Sequence, residues 1–140
     1  MGLSIADVTA LIDEHFPQAR EDVGAFVIES ISGAGARLRL PIRDSFIRPG
    51  GSVSGPTMFK LADLGIYAAI LGQRGPAALQ AVTSNMTINF LARPEPHDLI
   101  CEVELLRLGR RLAVAQARLW TDGRDALVCH ATGTYALPST

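Results

Sequence analysis

Apolar residues crowd most densely between Ser52 and Gly72, where the chain reads SVSGPTMFKLADLGIYAAILG and leaves almost no polar face. That pattern predicts a helix covered on most sides. Ser54 suits the N-cap, Pro56 the first turn, where its missing N–H is not needed, and Gly72 a C-terminal stop. Only Lys60, Asp63 and Tyr67 interrupt the run, and their three- and four-residue spacing puts them on one face. A second helical period runs from Ser4 to Phe16. Ile5, Val8, Leu11, Ile12 and Phe16 share a stripe opposite Asp7, Asp13 and Glu14, Ser4 and Asp7 suit a capping box, and Pro17 closes the segment.

The remaining apolar positions tend to alternate, as half-buried strands do. Ala25 to Ser32 and Ala36 to Ile42 flank Gly33-Ala34-Gly35 as a hairpin, with Arg37 and Arg39 on its solvated face. After a turn over Gln73 to Ala77 come four more strand segments: Ala78 to Ala92, Asp98 to Gly109, Arg111 to Thr121 and Asp125 to Leu137. Their breakers are Arg93-Pro94-Glu95-Pro96, Gly109-Arg110 and Asp122-Gly123. The order helix, two strands, long helix, four strands predicts an α+β architecture: an antiparallel sheet wrapped around one long central helix, with a short N-terminal helix.

Length and composition narrow the function classes. Residues 1–140 suit a single domain. Charged residues make up 19% with a net charge of −1, which points away from nucleic acid as a partner. Hydrophobic residues reach 48%, high for a chain this short, so some apolar surface is expected to be buried between subunits. Apolar runs are too short or too interrupted to span a bilayer, and the N-terminus lacks a signal-peptide pattern, so no membrane association and a cytoplasmic location are expected. Cys101 and Cys129 stand apart in strand-like segments and read as buried free thiols; no clustered ligands suggest a metal.

Asp63 is the residue that asks for an explanation. A carboxylate in the second turn of so apolar a helix either interacts with the helix dipole at a seam, paired with Lys60, or faces a cleft as a catalytic group. The loop Arg43 to Val53 is glycine-rich and leads into the helix, yet it lacks the GxxxxGK[ST] pattern and no strand immediately precedes its glycines, so it is not a phosphate loop. What it delivers is a helix N-terminus, whose free N–H groups favour a developing negative charge. His15, His97 and His130 are isolated from one another and read as structural.

The order of elements and several motifs resemble the hotdog-fold acyl-CoA thioesterases of the PaaI-like group, related to 4-hydroxybenzoyl-CoA thioesterase, over nearly the whole chain. Ser54-Gly55-Pro56 stands where that family carries His-Gly-Gly, and Leu61-Ala62-Asp63 matches its L-A-D element, with the carboxylate eight residues after Gly55. Residues 81–91, followed by Arg93-Pro94, resemble the family's third strand, and Thr83 falls where a Ser or Thr faces the active site. Residues 108–113 and Asp122-Gly123 resemble its last two hairpin turns. The departures are Ser54 for the His, Pro56 for the second Gly, and Arg48 for an Asn fifteen residues before the carboxylate.

The resemblance implies hydrolysis of an acyl-CoA thioester. Asp63 would be base or nucleophile, the Gly55 N–H the oxyanion donor, and Thr83 the residue orienting water or Asp63. It implies substrate contacts from Arg48, Ser54, Pro56, Met58, Phe59 and Tyr67, with Arg93, Arg110 and Arg111 toward the CoA phosphates. It also implies a homodimer with shared active sites, pairing into a homotetramer, and no cofactor, coenzyme A being part of the substrate. Two rival readings remain: a non-catalytic hotdog protein that binds an acyl-CoA or related ligand, and a dehydratase, which would normally need a histidine absent from residues 43–63.

Overall fold

The computed structural model describes residues 2–139. Helix α1 (Ile5–His15) starts as its sequence dictates: the Asp7 N–H donates to the Ser4 hydroxyl and the Ser4 N–H to the Asp7 carboxylate. Val8 and Ile12 are its buried stripe. Pro17 ends α1 but also opens a second, one-turn helix α2 (Gln18–Asp22), which the sequence reading missed. Five residues are too few to display a helical period.

Strands β1 (Val27–Ser32) and β2 (Gly35–Leu40) form the expected hairpin. The loop beyond them contains one turn of 3₁₀ helix at Asp44–Phe46 and an antiparallel bridge between Ile47 and Val53, which together deliver the chain to helix α3 (Gly55–Arg74). Its start is the expected one, with Ser54 as N-cap accepting from the Thr57 N–H and Pro56 in the first turn. Its end is not. Gly72 is a buried residue inside the helix, where a Cβ would lie 2.7 Å from Ile31 Cγ2. The stop belongs to Gly75, whose φ of +63° takes the chain out of helical geometry. The turn placed at Gln73 to Ala77 therefore begins later, as a 3₁₀ turn over Gly75–Ala78.

Strands β3 (Val82–Phe90), β4 (Leu99–Leu108), β5 (Leu112–Thr121) and β6 (Leu127–Ala136) lie within the predicted segments. All six strands form one antiparallel sheet in the order β1-β2-β4-β5-β6-β3, so β1 and β3 are its two edges. Alternation sets the faces: Leu38 and Leu40, Cys101 and Val103, Ala113, Ala115, Ala117 and Leu119, and Cys129 and Ala131 are buried toward α3. Thirteen residues of α3 are buried in return, so the helix is covered on most sides as its composition requires. This is the α+β hotdog architecture expected from the sequence.

The outer face corrects one reading. Arg37 and Arg39 are not merely solvated: Arg39 donates to Glu29 at 2.7 Å, Asp98 at 3.1 Å and Asp122 at 2.7 Å, while Arg37 donates to Glu29 at 3.0 Å. Cys101 and Cys129 are buried free thiols, and burial pushes the Cys129 thiol up to about 11. Among the described residues no helix is long and apolar enough to cross a membrane.

Candidate active site

Asp63 lies in the third turn of α3, not the second, beyond the reach of the first-turn dipole effect. Neither it nor Lys60 takes part in any ion pair among the described residues, so the dipole-and-lysine account does not explain it. Instead two neutral hydroxyls hold it. Thr83 donates to Asp63 Oδ1 at 2.7 Å, and the Tyr135 hydroxyl approaches the same oxygen at 2.6 Å and the Asp63 backbone carbonyl at 3.0 Å.

The sheet register explains how two distant residues reach one oxygen. Thr83 of β3 and Tyr135 of β6 are directly opposed partners, so their side chains rise from the same face about 5 Å apart. The ladder shifts register immediately afterwards, between Thr83 and Asn85, a local irregularity of the kind that re-aims side chains. Tyr135 is supported in turn: its ring stacks on Tyr67 at 6.3 Å between centroids, and the Tyr67 hydroxyl donates to the Leu79 carbonyl at 2.8 Å. Burial pushes the Tyr135 phenol well above its usual range and the Asp63 charge adds to this, which keeps the hydroxyl protonated and a donor.

A cavity of about 630 Å³ opens beside this constellation. Asp63, Thr83, Tyr67 and Tyr135 line it together with His15 and Phe16 at the end of α1. A smaller cavity of about 320 Å³ sits at the N-terminus of α3, between Ser54, Pro56, Thr57 and Arg43. Lys60 borders both. Among the described residues no group of three metal-ligating side chains occurs.

The predicted site residues thus divide. Asp63, Thr83 and Tyr67 come together along the large cavity, although the Tyr67 hydroxyl donates to the Leu79 carbonyl. Gly55, Ser54 and Pro56 gather at the start of α3, where the Ser54 hydroxyl is occupied by Thr57. Eight residues separate Gly55 from Asp63, which at about 1.5 Å per residue places them about 12 Å apart along the helix. Met58 is a core residue, and Phe59 and Arg48 line neither cavity. Arg93 donates to the Gly50 carbonyl at 2.9 Å and so ties down the glycine loop, while Arg110 and Arg111 are exposed at the β4–β5 turn. Sequence reasoning missed Tyr135 and assigned His15 no place beside a cavity. Tyr135 carried a usable signal: it continues the inward alternation of Cys129, Ala131 and Gly133, and a buried tyrosine hydroxyl needs a partner.

Comparison with known proteins bears on this geometry. The model of the thioesterase superfamily matches residues 50–128. A proposed thioesterase from Silicibacter sp. is 39% identical, with a TM-score of 0.88 over 97% of this chain and 92% of its own. A hypothetical thioesterase from Streptococcus pneumoniae, solved with coenzyme A, is 21% identical, with a TM-score of 0.79 over 92% and 98% of the two chains. A point mutant of the phenylacetic acid degradation protein PaaI from Thermus thermophilus is 21% identical, with a TM-score of 0.72 over 85% and 97%. No curated protein matches the chain.

Proposed function

Since the chain belongs to the thioesterase superfamily, we propose that it hydrolyses an acyl-CoA thioester to the free acid and CoA, with Asp63 as the reacting carboxylate. The observation that carries this reading is a carboxylate held by two neutral donors, with no ion pair among the described residues, at the wall of a cavity. The CoA in the Streptococcus pneumoniae neighbour supports a CoA-linked substrate.

As general base, Asp63 takes a proton from water as the water oxygen adds to the thioester carbonyl. As nucleophile, it attacks the carbonyl itself to give an anhydride that water then opens. In both routes the carbon–sulfur bond breaks and the CoA sulfur leaves as a thiolate that regains a proton. The oxyanion needs a donor, and the Gly55 N–H, free as first-turn helix amides are, suits it. At about 12 Å, one chain's Gly55 does not reach the thioester that its own Asp63 attacks. We therefore assign the donor to a second copy of the chain. Strand β3 offers the surface: it is a nine-residue edge strand carrying exposed Val82 and Phe90, and Phe90 packs within 3.5 Å of where a Gly55 side chain would start. Pairing of such dimers into a tetramer and a cytoplasmic location complete the proposal. The reaction asks for no cofactor beyond the CoA of the substrate.

A non-catalytic ligand-binding role is favoured by one feature, Ser54 standing in place of the family's histidine with its hydroxyl engaged in capping. Release of free thiol from short, medium, long and aromatic acyl-CoAs separates the two. Turnover of any of these is expected and identifies the acyl class. No turnover alongside saturable CoA binding overturns hydrolysis in favour of binding.

A further inference from the structure

Thr83 and Tyr135 both meet Asp63 Oδ1, at 2.7 and 2.6 Å, whereas Oδ2 has no hydrogen-bond partner among the described residues. The two carboxylate oxygens are therefore not equivalent. Tyr135 is buried, its ring is fixed by the stack on Tyr67, and its hydroxyl has two acceptors, both on Asp63. A phenol held by its ring and bonded to both the backbone and the side chain of one residue removes that residue's rotational freedom.

We infer that Tyr135 is a positioning residue: with Thr83 it pins Oδ1 of Asp63 so that Oδ2 alone is presented to the water or carbonyl carbon. This inference rests on the reading of Asp63 as the reacting carboxylate. Tyr135 touches neither substrate nor water in this scheme; it limits the carboxylate to one orientation, which an ordered transition state requires. Its effect therefore belongs to kcat rather than KM.

The test is steady-state thiol release on the best acyl-CoA by wild type, Asp63→Ala, Tyr135→Phe, Thr83→Val, Thr83→Ser and the Tyr135→Phe/Thr83→Val double variant, each with its melting temperature. Tyr135→Phe keeps the ring stack and removes only the hydroxyl. It is expected to lower kcat about 10- to 100-fold with KM within about twofold. Thr83→Val behaves alike, Thr83→Ser recovers most of the rate, and the double variant approaches Asp63→Ala. Should Tyr135→Phe not fold, Thr83→Val on the exposed edge strand carries the test of the pinned oxygen. A wild-type kcat in Tyr135→Phe, or a change confined to KM, overturns the inference while an inactive Asp63→Ala leaves the function standing. An Asp63→Ala variant as fast as wild type, or no thiol release by wild type, overturns both.

Discussion

The molecule carries two polar clusters on opposite faces of one sheet, and they are built on different rules. Outside, Glu29, Asp98, Glu102 and Asp122 each meet a guanidinium from Arg37, Arg39 or Arg118, at distances from 2.7 to 3.8 Å. Inside, the side chain of Asp63 meets the hydroxyls of Thr83 and Tyr135, both at Oδ1, and among the described residues no other side chain bonds it. Hydrogen bonds from Arg39 hold the Glu29 and Asp122 carboxyls below their usual range. Each of these four carboxylates is answered by a guanidinium, so that cluster fastens strands. The inner carboxylate is held by hydroxyls with no cation paired to it among the described residues, which is the arrangement the proposed reaction asks for.

The contrast sharpens under substitution, and the largest effect is expected inside. Asp63→Ala should cost about two or more orders of magnitude in kcat/KM with the fold retained by circular dichroism, whereas any single outer carboxylate changed to its amide should leave kcat/KM within about twofold. Phe90→Asp on the β3 edge should leave the proposed dimer monomeric by size-exclusion chromatography and remove activity with it; Phe90 stands at the far end of β3 from Thr83 and packs beside Gly55, so its loss acts on the proposed shared donor and not on Asp63. Arg39→Met acts on the other cluster. It should lower the melting temperature by about 3 °C and spare the rate, since partly exposed ion pairs contribute little.

The smallest effects separate the clusters by pH. Glu29 has its folded value lowered, chiefly by the Arg39 hydrogen bond, so its contribution is present above its ordinary value of about 4.5 and is lost as the pH falls through the lower folded value. Glu29→Gln should flatten the fall of melting temperature in acid. Tyr135 has its value raised by burial, so its contribution is present below its ordinary value of about 10 and is lost as the pH rises past it. Tyr135→Phe should flatten the alkaline limb and leave the acid limb unchanged.

Much of the fold was legible because it rests on periodicity. The apolar run around Leu61 to Leu71 and the alternation of Ala113, Ala115 and Ala117 point inward wherever the chain is placed. What escaped was short or non-local. The single turn Gln18–Asp22 has no period to show, and Gly72 resembles a stop until Ile31 is found beside it. The site was half legible for the same reason. Asp63 stands out as a charge in an apolar helix and Thr83 was carried by family resemblance, but Tyr135 follows Thr83 by fifty-two residues and meets it only through the β3–β6 register. Pairing across a sheet is a property of the fold, which no local window contains.

A site made by two copies of the chain is the central claim, and subunit complementation tests it most directly. Gly55→Pro removes the proposed oxyanion N–H at the first helical position, beside Phe90 and ahead of Pro56, and Asp63→Ala removes the carboxylate, so the fold of each variant is checked by circular dichroism. Each homodimer alone should release almost no thiol. Co-expressed in equal amounts, half of the dimers are mixed and each holds one intact site, so about a quarter of the wild-type activity should return. Mixed dimers that recover nothing would contradict the shared site, as would full activity in Gly55→Pro.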